Sequence, residues 1–293
     1  LQVVKAKGRL KILNDMIDGG KSLPGNIGIG HTRWATHGAP SDVNSHPQVS
    51  GSGKFAVVHN GIIENYLSLR ESLHRHGKAF VSETDTEVVA QLLDYYYQGN
   101  ILEAMVKVLQ KVEGSYALGV ICAERPDEII AVRKDSPLIV GLGEHENFIA
   151  SDVPAILSKT RSIYRLNDNE IAVLKRDSVQ VYNLDLEPVS KEKVHIDWDI
   201  SAAEKGGYEH FMAKEIMEQP KAVRDTISPR LKDGRIVLDD ITLTKEEIER
   251  FSKISIVACG SAYHVGVVAK YIFEKLARIP VEVDVASEFR YRE

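Results

Sequence analysis

The sequence is poor in cysteine. Its 293 residues include two, Cys122 and Cys259, far apart in the chain. They form no metal-ligand spacing and no disulfide framework, which points to a reducing compartment. No apolar run approaches the ~20 residues that a bilayer-spanning helix needs. Positive charge is not in excess: 37 Lys and Arg stand against 42 Asp and Glu, for a formal net charge of -5. That argues against a general nucleic-acid binder, which is usually basic. There is no internal repeat and no low-complexity tract. No G-x-G-x-x-G or P-loop supports nucleotide binding. The rest is ordinary, with 43% hydrophobic and 27% charged residues. That suffices for sizeable cores and, at this length, about two domains.

One stretch concentrates unusual residues. Residues 31–46 read HTRWATHGAPSDVNSH, and a second polar knot, His59-Asn60-Gly61, follows closely. The arrangement suggests the wall of a small-molecule site. Leu10, Leu13 and Ile17 have helical spacing ahead of Gly19-Gly20. Ile27 to Arg33 alternates as a strand does. Phe55 to Val58 predicts a second strand, closed by Asn60-Gly61 as a tight turn. Helices are predicted over 64–76, from Thr84 to Tyr97, and over 100–112. Thr84 with Glu87 fits a capping box. From 115 to 182 the chain changes to short runs rich in Val, Ile and Tyr, separated by turn residues. Clustered strands and helices suit stacked sheets with helices outside, an α+β layout. Residues 184–207 are polar and end in Gly206-Gly207, which marks a linker. A helix over 209–226 and a second capping box, Thr244 with Glu247, follow. A buried strand at 254–258, a helix from Gly260-Ser261 and a strand at 281–285 then give the opening of a doubly wound α/β domain.

Several residues could carry chemistry. The planar fork of Arg33 can grip a carboxylate with two parallel hydrogen bonds; the alternative is a surface strand Arg in a weak ion pair. Thr32, Trp34 and Thr36 leave that strand no clear solvent face. Asp85 could hold an ammonium, or could simply offset a helix dipole. Arg33 and Asp85 together would recognise a free amino acid. Asn60 and Gly61 suit a turn, or an oxyanion hole in which the Asn amide and the Gly N–H donate to a developing negative oxygen. His31, His37, His46 and His59 lack metal spacing and read better as hydrogen-bonded scaffold. Cys122 reads as a buried structural thiol. Cys259 stands at a loop-to-helix junction, where lining a pocket is favoured over nucleophilic attack. Gly260 and Ser261 open a helix whose free N–H groups suit a phosphate or a sugar hydroxyl, or form a common cap.

The motifs also carry a resemblance. HTRWATHG (31–38), NSHPQ (44–48), HNGIIENY (59–66), SETDTE (82–87), EGSYAL (113–118) and ASDVPA (150–155) resemble the glutaminase domain of class II glutamine amidotransferases. HFMAKEIMEQP (210–220), ACGSAYH (258–264) and ASEFRYR (286–292) add the first part of a sugar isomerase domain. Together they resemble the aminotransferases that use fructose 6-phosphate. The resemblance implies a fold: an N-terminal nucleophile hydrolase-like α+β four-layer sandwich over 1–190, a linker over 191–207, and the start of a doubly wound α/β sugar isomerase domain over 208–293. It implies that Arg33, Thr36 and His37 hold the glutamine carboxylate, and that Asp85 and Gly61 hold its ammonium. Asn60 and Gly61 would form the oxyanion hole, and Trp34 would gate an ammonia channel. Cys259, Gly260 and Ser261 would line the sugar-phosphate pocket. Glutamine and fructose 6-phosphate would be the substrates of a cytoplasmic homodimer with no metal or organic cofactor and no nucleic-acid or membrane partner.

The sequence departs from that family in places. The family nucleophile is an N-terminal cysteine whose α-amine is the base. Its place would precede Leu1, and neither Cys122 nor Cys259 matches it. The phosphate loop Ser-Gln-Ser-Gly and the late Glu, His and Lys of the isomerase do not occur, and Ala262 stands where Ser is common. The expectation is therefore an internal piece of the enzyme, cut at both ends and inactive alone. Two other readings stand beside it. One is a non-catalytic sensor of an amino acid or sugar phosphate. The other is the purine-pathway amidotransferase, whose acidic phosphoribosyl-pyrophosphate loop is not seen in 208–293.

Overall fold

The computed structural model describes residues 1–197, 205–238 and 241–292. The chain divides into two compact units, 1–207 and 208–293, and each is described by itself.

The first unit begins with helix α1 (Leu10–Met16) and then a long irregular segment. Residues 27–33, expected as a strand, belong to no helix or strand and pair with no strand among the described residues. Extended backbone becomes a strand only when a neighbour completes its hydrogen-bond ladder. Strands β1 (Gln48–Val49) and β2 (Phe55–Ile63) come next, then helices α2 (Tyr66–Arg75), α3 (Thr86–Tyr96) and α4 (Ile101–Leu109). The antiparallel strands β3 (Gly114–Cys122), β4 (Arg125–Lys134), β5 (Ile139–Leu142), β6 (Asn147–Ala150), β7 (Ser162–Arg165), β8 (Ile171–Leu174) and β9 (Val179–Tyr182) match the predicted short runs. β10 (Pro188–Val189) and β11 (Val194–His195) add one edge strand to each sheet, and Ile196 is buried. The expected linker is therefore structured through residue 196; its residues 198–204 lie outside the described residues.

Two sheets result, in the orders β1-β2-β3-β4-β8-β9-β10 and β11-β7-β5-β6. The period-two alternation of strand side chains decides how they stack. On β3, Tyr116, Leu118 and Val120 enter the core shared with α3 and α4, while Ala117 enters the core between the sheets. On β4, Ile130 and Val132 face the first core, and Ala131 the second. Gly119 permits close sheet packing, since a Cβ there would lie 2.6 Å from Ile149 Cδ1. On β5 and β7, Ile139 and Ile163 turn to a third core with Val153, Ile156 and Leu157. The layers are thus helices, sheet, sheet, and an outer layer made by the 3-10 turn Val153–Ala155 and the segment after it. Each fully buried Leu or Val contributes ~1.5–3 kcal/mol of transfer free energy.

The second unit contains α5 (Phe211–Ile227), the two-residue strands β12 (Leu231–Lys232) and β13 (Arg235–Ile236), and α6 (Lys245–Ile248). The box of Thr244 and Glu247 is complete in both directions. β14 (Ile254–Ala258), α7 (Gly260–Leu276) and β15 (Val281–Val285) form a parallel β-α-β unit, closed by α8 (Ala286–Phe289). β14 is not the buried strand expected: Ser255 and Val257 are exposed, because α7 covers only one face.

Candidate functional site

The Asn60-Gly61 pair does not end its strand. β2 continues to Ile63, and Gly61 pairs with Tyr116 of β3. The preference for positive φ is real, at +111°, but it is used inside a ladder. A Cβ at Gly61 would stand 2.1 Å from the Ser115 carbonyl oxygen. Only glycine fits both the torsion and the space.

The start of α3 is built differently from the expected box. Thr84 Oγ1 accepts the Glu87 N–H at 3.4 Å, but Glu87 does not return the bond. Its buried carboxylate instead accepts the N–H groups of Val81 and Ser82 and the Ser82 hydroxyl. This fixes the SETDTE turn from within. Asn44 ties the opening stretch to the same turn: its amide donates to Ala39 O and Glu83 Oε2, and its oxygen accepts the Glu83 N–H.

These ties bring Arg33, Trp34, Thr36, Asn60, Gly61 and Asp85 around one cavity of about 280 Å³. Arg33 points inward, and Nη2 donates to the carbonyls of His37 and Gly38, the latter at 3.0 Å. Its Nε and Nη1 make no hydrogen bond among the described residues. Burial pushes the guanidinium pKa down and the charge of Asp85 opposes that, yet an arginine stays charged. Asp85 is 4% exposed. Its Oδ2 accepts the Ile63 N–H at 2.9 Å, and its Oδ1 makes no hydrogen bond among the described residues. The cavity thus carries one fixed cation and one fixed anion.

Thr32, Trp34 and Thr36 do form a solvent face, contrary to expectation, and Trp34 is 89% exposed. His37 does not line the cavity. It supplies its carbonyl to Arg33, and its ring meets Tyr66 edge-on at 5.1 Å. Cys259, Gly260 and Ser261 belong to the second unit. Cys259 is exposed, and Gly260 opens α7 with φ +59°. Cys122 is buried in β3, and burial pushes its thiol pKa up.

Of the four candidate histidines, His46 and His59 form a buried network that lines the cavity together with His31. His46 Nδ1 accepts the His59 N–H at 3.4 Å, so its proton sits on Nε2, which donates to Thr86 Oγ1 at 3.1 Å. Thr86 Oγ1 lies 3.0 Å from His59 Nδ1. Burial, with His31 and His59 nearby, pushes His46 down to about 2. Burial pushes His59 down to about 4 against the pull of Asp85. Both rings are neutral at pH 7, so the 3.7 Å approach of His59 to Asp85 is no ion pair. Thr86 and Ser115 also line the cavity. No local signal marked either one, because their positions depend on contacts distant in sequence.

The glutamine amidotransferase domain profile matches residues 18–192, and the SIS domain profile matches 247–293. The first match covers more than half of the chain. The chain belongs to the glutamine amidotransferase family. Among curated relatives, the glutamine–fructose-6-phosphate aminotransferase (isomerizing) of Caldanaerobacter subterraneus subsp. tengcongensis is 60% identical over 293 residues, 100% of this chain and 48% of that protein. The enzyme of the same name from Clostridium acetobutylicum is 60% identical over 294 residues, with coverage of 100% and 48%. This amidotransferase chain therefore spans about half the length of the curated relatives it matches. The glutamine phosphoribosylpyrophosphate amidotransferase of B. subtilis superposes with a TM-score of 0.48 at 16% identity, covering 86% of this chain and 50% of that one.

Proposed function

We propose that the cavity binds the amino-acid end of glutamine and that the longer protein containing this chain transfers glutamine nitrogen to fructose 6-phosphate. The observation that carries this is the pairing of Arg33 and Asp85 on one cavity of amino-acid size. The free N–H groups of Arg33 match an α-carboxylate, and Asp85 Oδ1 matches an α-ammonium. Thr36 adds a hydroxyl at the rim. The Asn60 amide and the Gly61 N–H then serve the oxygen of the reacting carboxamide as it gains charge. Each such donor contributes ~2.7–4 kcal/mol to transition-state stability. The attacking group is the family's N-terminal cysteine; among the described residues no thiol lines the cavity.

Residues 1–190 are assigned to the glutaminase, 191–207 to the linker and 208–293 to the first part of the isomerase domain. In the last, Cys259, Gly260 and Ser261 are assigned to the sugar-phosphate pocket, and Trp34 is assigned to gating ammonia. The homodimer and cytoplasmic location implied by the motifs belong to the same reading. The test is an assay of the full-length protein with L-glutamine and fructose 6-phosphate. Glutamate and amino-sugar phosphate are expected in equal amounts. Glutamate without amino sugar would overturn the acceptor, and no glutamate would overturn the glutaminase.

A further inference from the structure

An asparagine side chain can present either end to a site, because its oxygen and nitrogen are nearly the same size. An oxyanion hole works with only one of them. At Asn60 the choice is made by a neighbour on the cavity wall: His31 Nε2 lies 2.7 Å from Asn60 Oδ1. We infer that His31 is the positioning residue that fixes the direction of the Asn60 amide and so makes Asn60 a donor to the cavity.

The direction of the Asn60 amide depends on where His31 carries its proton. Burial, and to a smaller extent the Arg33 charge, lower its pKa against the opposing hydrogen bond to Asn60, so near pH 7 the neutral ring with a single proton dominates. Nδ1 is buried and has no hydrogen-bond partner among the described residues. A proton there would be a buried donor with nothing to receive it, which is costly. It would also leave the Nε2 lone pair facing the Asn60 oxygen, or force the amide to turn over and aim Oδ1 into the cavity. A proton on Nε2 avoids both problems. It donates to Oδ1 and leaves the two Nδ2 hydrogens for the site. The His46 ring, 4.5 Å from that of His31 and tilted by 38°, limits rotation of the imidazole. His46 cannot compete for the His31 proton, since its own nitrogens are engaged by the His59 N–H and Thr86.

The inference rests on the glutamine reading of the cavity, and the test separates the two. The first arm uses this chain with ¹⁵N-labelled histidine, assigned by comparison with His31→Gln. The His31 signal is expected to show its proton on Nε2; a proton on Nδ1 would overturn the inference whatever the cavity binds. The second arm uses the full-length protein. His31→Leu is expected to lower kcat for glutamine hydrolysis roughly 10- to 100-fold with KM within about twofold, because the contacts of Arg33 and Asp85 stay in place. His31→Gln, which keeps an N–H donor near the Nε2 position, is expected to recover most of the loss. In an Asn60→Ala background, His31→Leu is expected to add nothing further. Independent, multiplying losses in the double variant, or equal losses in Leu and Gln variants, would overturn it. If Asn60→Ala keeps the parent kcat, the oxyanion-hole reading fails, and the NMR arm still decides the His31 tautomer.

Discussion

Asp85 Oδ2 accepts the backbone N–H of Ile63 at 2.9 Å. One bond thus joins the end of β2, two residues beyond Gly61, to the start of α3. It holds the anionic group at a fixed height over the strand that carries Asn60. Asp85 thus has a structural duty beside the one proposed for it toward a ligand.

Asp85→Asn separates those duties. The amide keeps an oxygen for the Ile63 N–H and loses the charge. A charge-assisted hydrogen bond contributes ~1.5–3 kcal/mol, so the Kd for L-glutamine is expected to rise roughly 10- to 150-fold. Thermal melting is expected to stay near that of the parent. A large loss of stability with unchanged affinity would assign Asp85 to structure alone.

Gly61→Ala tests the strand. The new methyl group would meet the Ser115 carbonyl at 2.1 Å, at φ +111°. Torsional strain alone costs ~1–3 kcal/mol, and the clash with backbone adds to it. A Tm lowered by at least ~4 °C is expected. An unchanged Tm would show that the ladder at Gly61 and Tyr116 is looser than described.

The buried histidines set a pH dependence. His46 and His59 have folded pKa values depressed to about 2 and about 4, against ~6.5 when unfolded. Above pH 6.5 neither state binds these protons, and stability from this source is full. As the pH falls from 6.5 toward 4, the unfolded chain takes up protons that the folded chain refuses, so stability falls. Near pH 5.5 the slope from the two groups is on the order of 2 kcal/mol per pH unit. Urea unfolding at pH 7, 6 and 5.5 measures it. His46→Gln is expected to reduce the slope by about half.

Trp34 is exposed, so Trp34→Ala is expected to leave stability within ~0.5 kcal/mol of the parent. In the full-length protein the same change is expected to lower amino-sugar formation more than glutamine hydrolysis. Equal rates for both products would remove the gating role.

Much of the architecture was legible because it rests on local patterns. The short runs rich in Val, Ile and Tyr became strands, and the box at Thr244 formed as its spacing indicates. The failures share a cause. Asn60-Gly61 has the composition of a turn, but β3 supplies a partner along the whole of β2 and keeps the strand running. Glu87 has the spacing of a capping box, but the amides of Val81 and Ser82 offer its carboxylate better partners. Residues 27–33 have strand alternation and no ladder to join. In each case a contact distant from the local pattern, or its absence, decides the outcome. The candidate site was legible through Arg33, Asn60, Gly61 and Asp85. His46 and His59 were legible as hydrogen-bonded scaffold, but their partners were not, because the network with Thr86 joins residues 13 to 40 positions apart.

Recognition of a free amino acid is proposed to need Arg33 and Asp85 together. Isothermal titration of L-glutamine into this chain and into its Arg33→Ala variant tests it most directly. Saturable one-site binding is expected for the parent, with a Kd roughly 10- to 150-fold weaker without the guanidinium. No binding by the parent, or equal affinity in the two proteins, would contradict it.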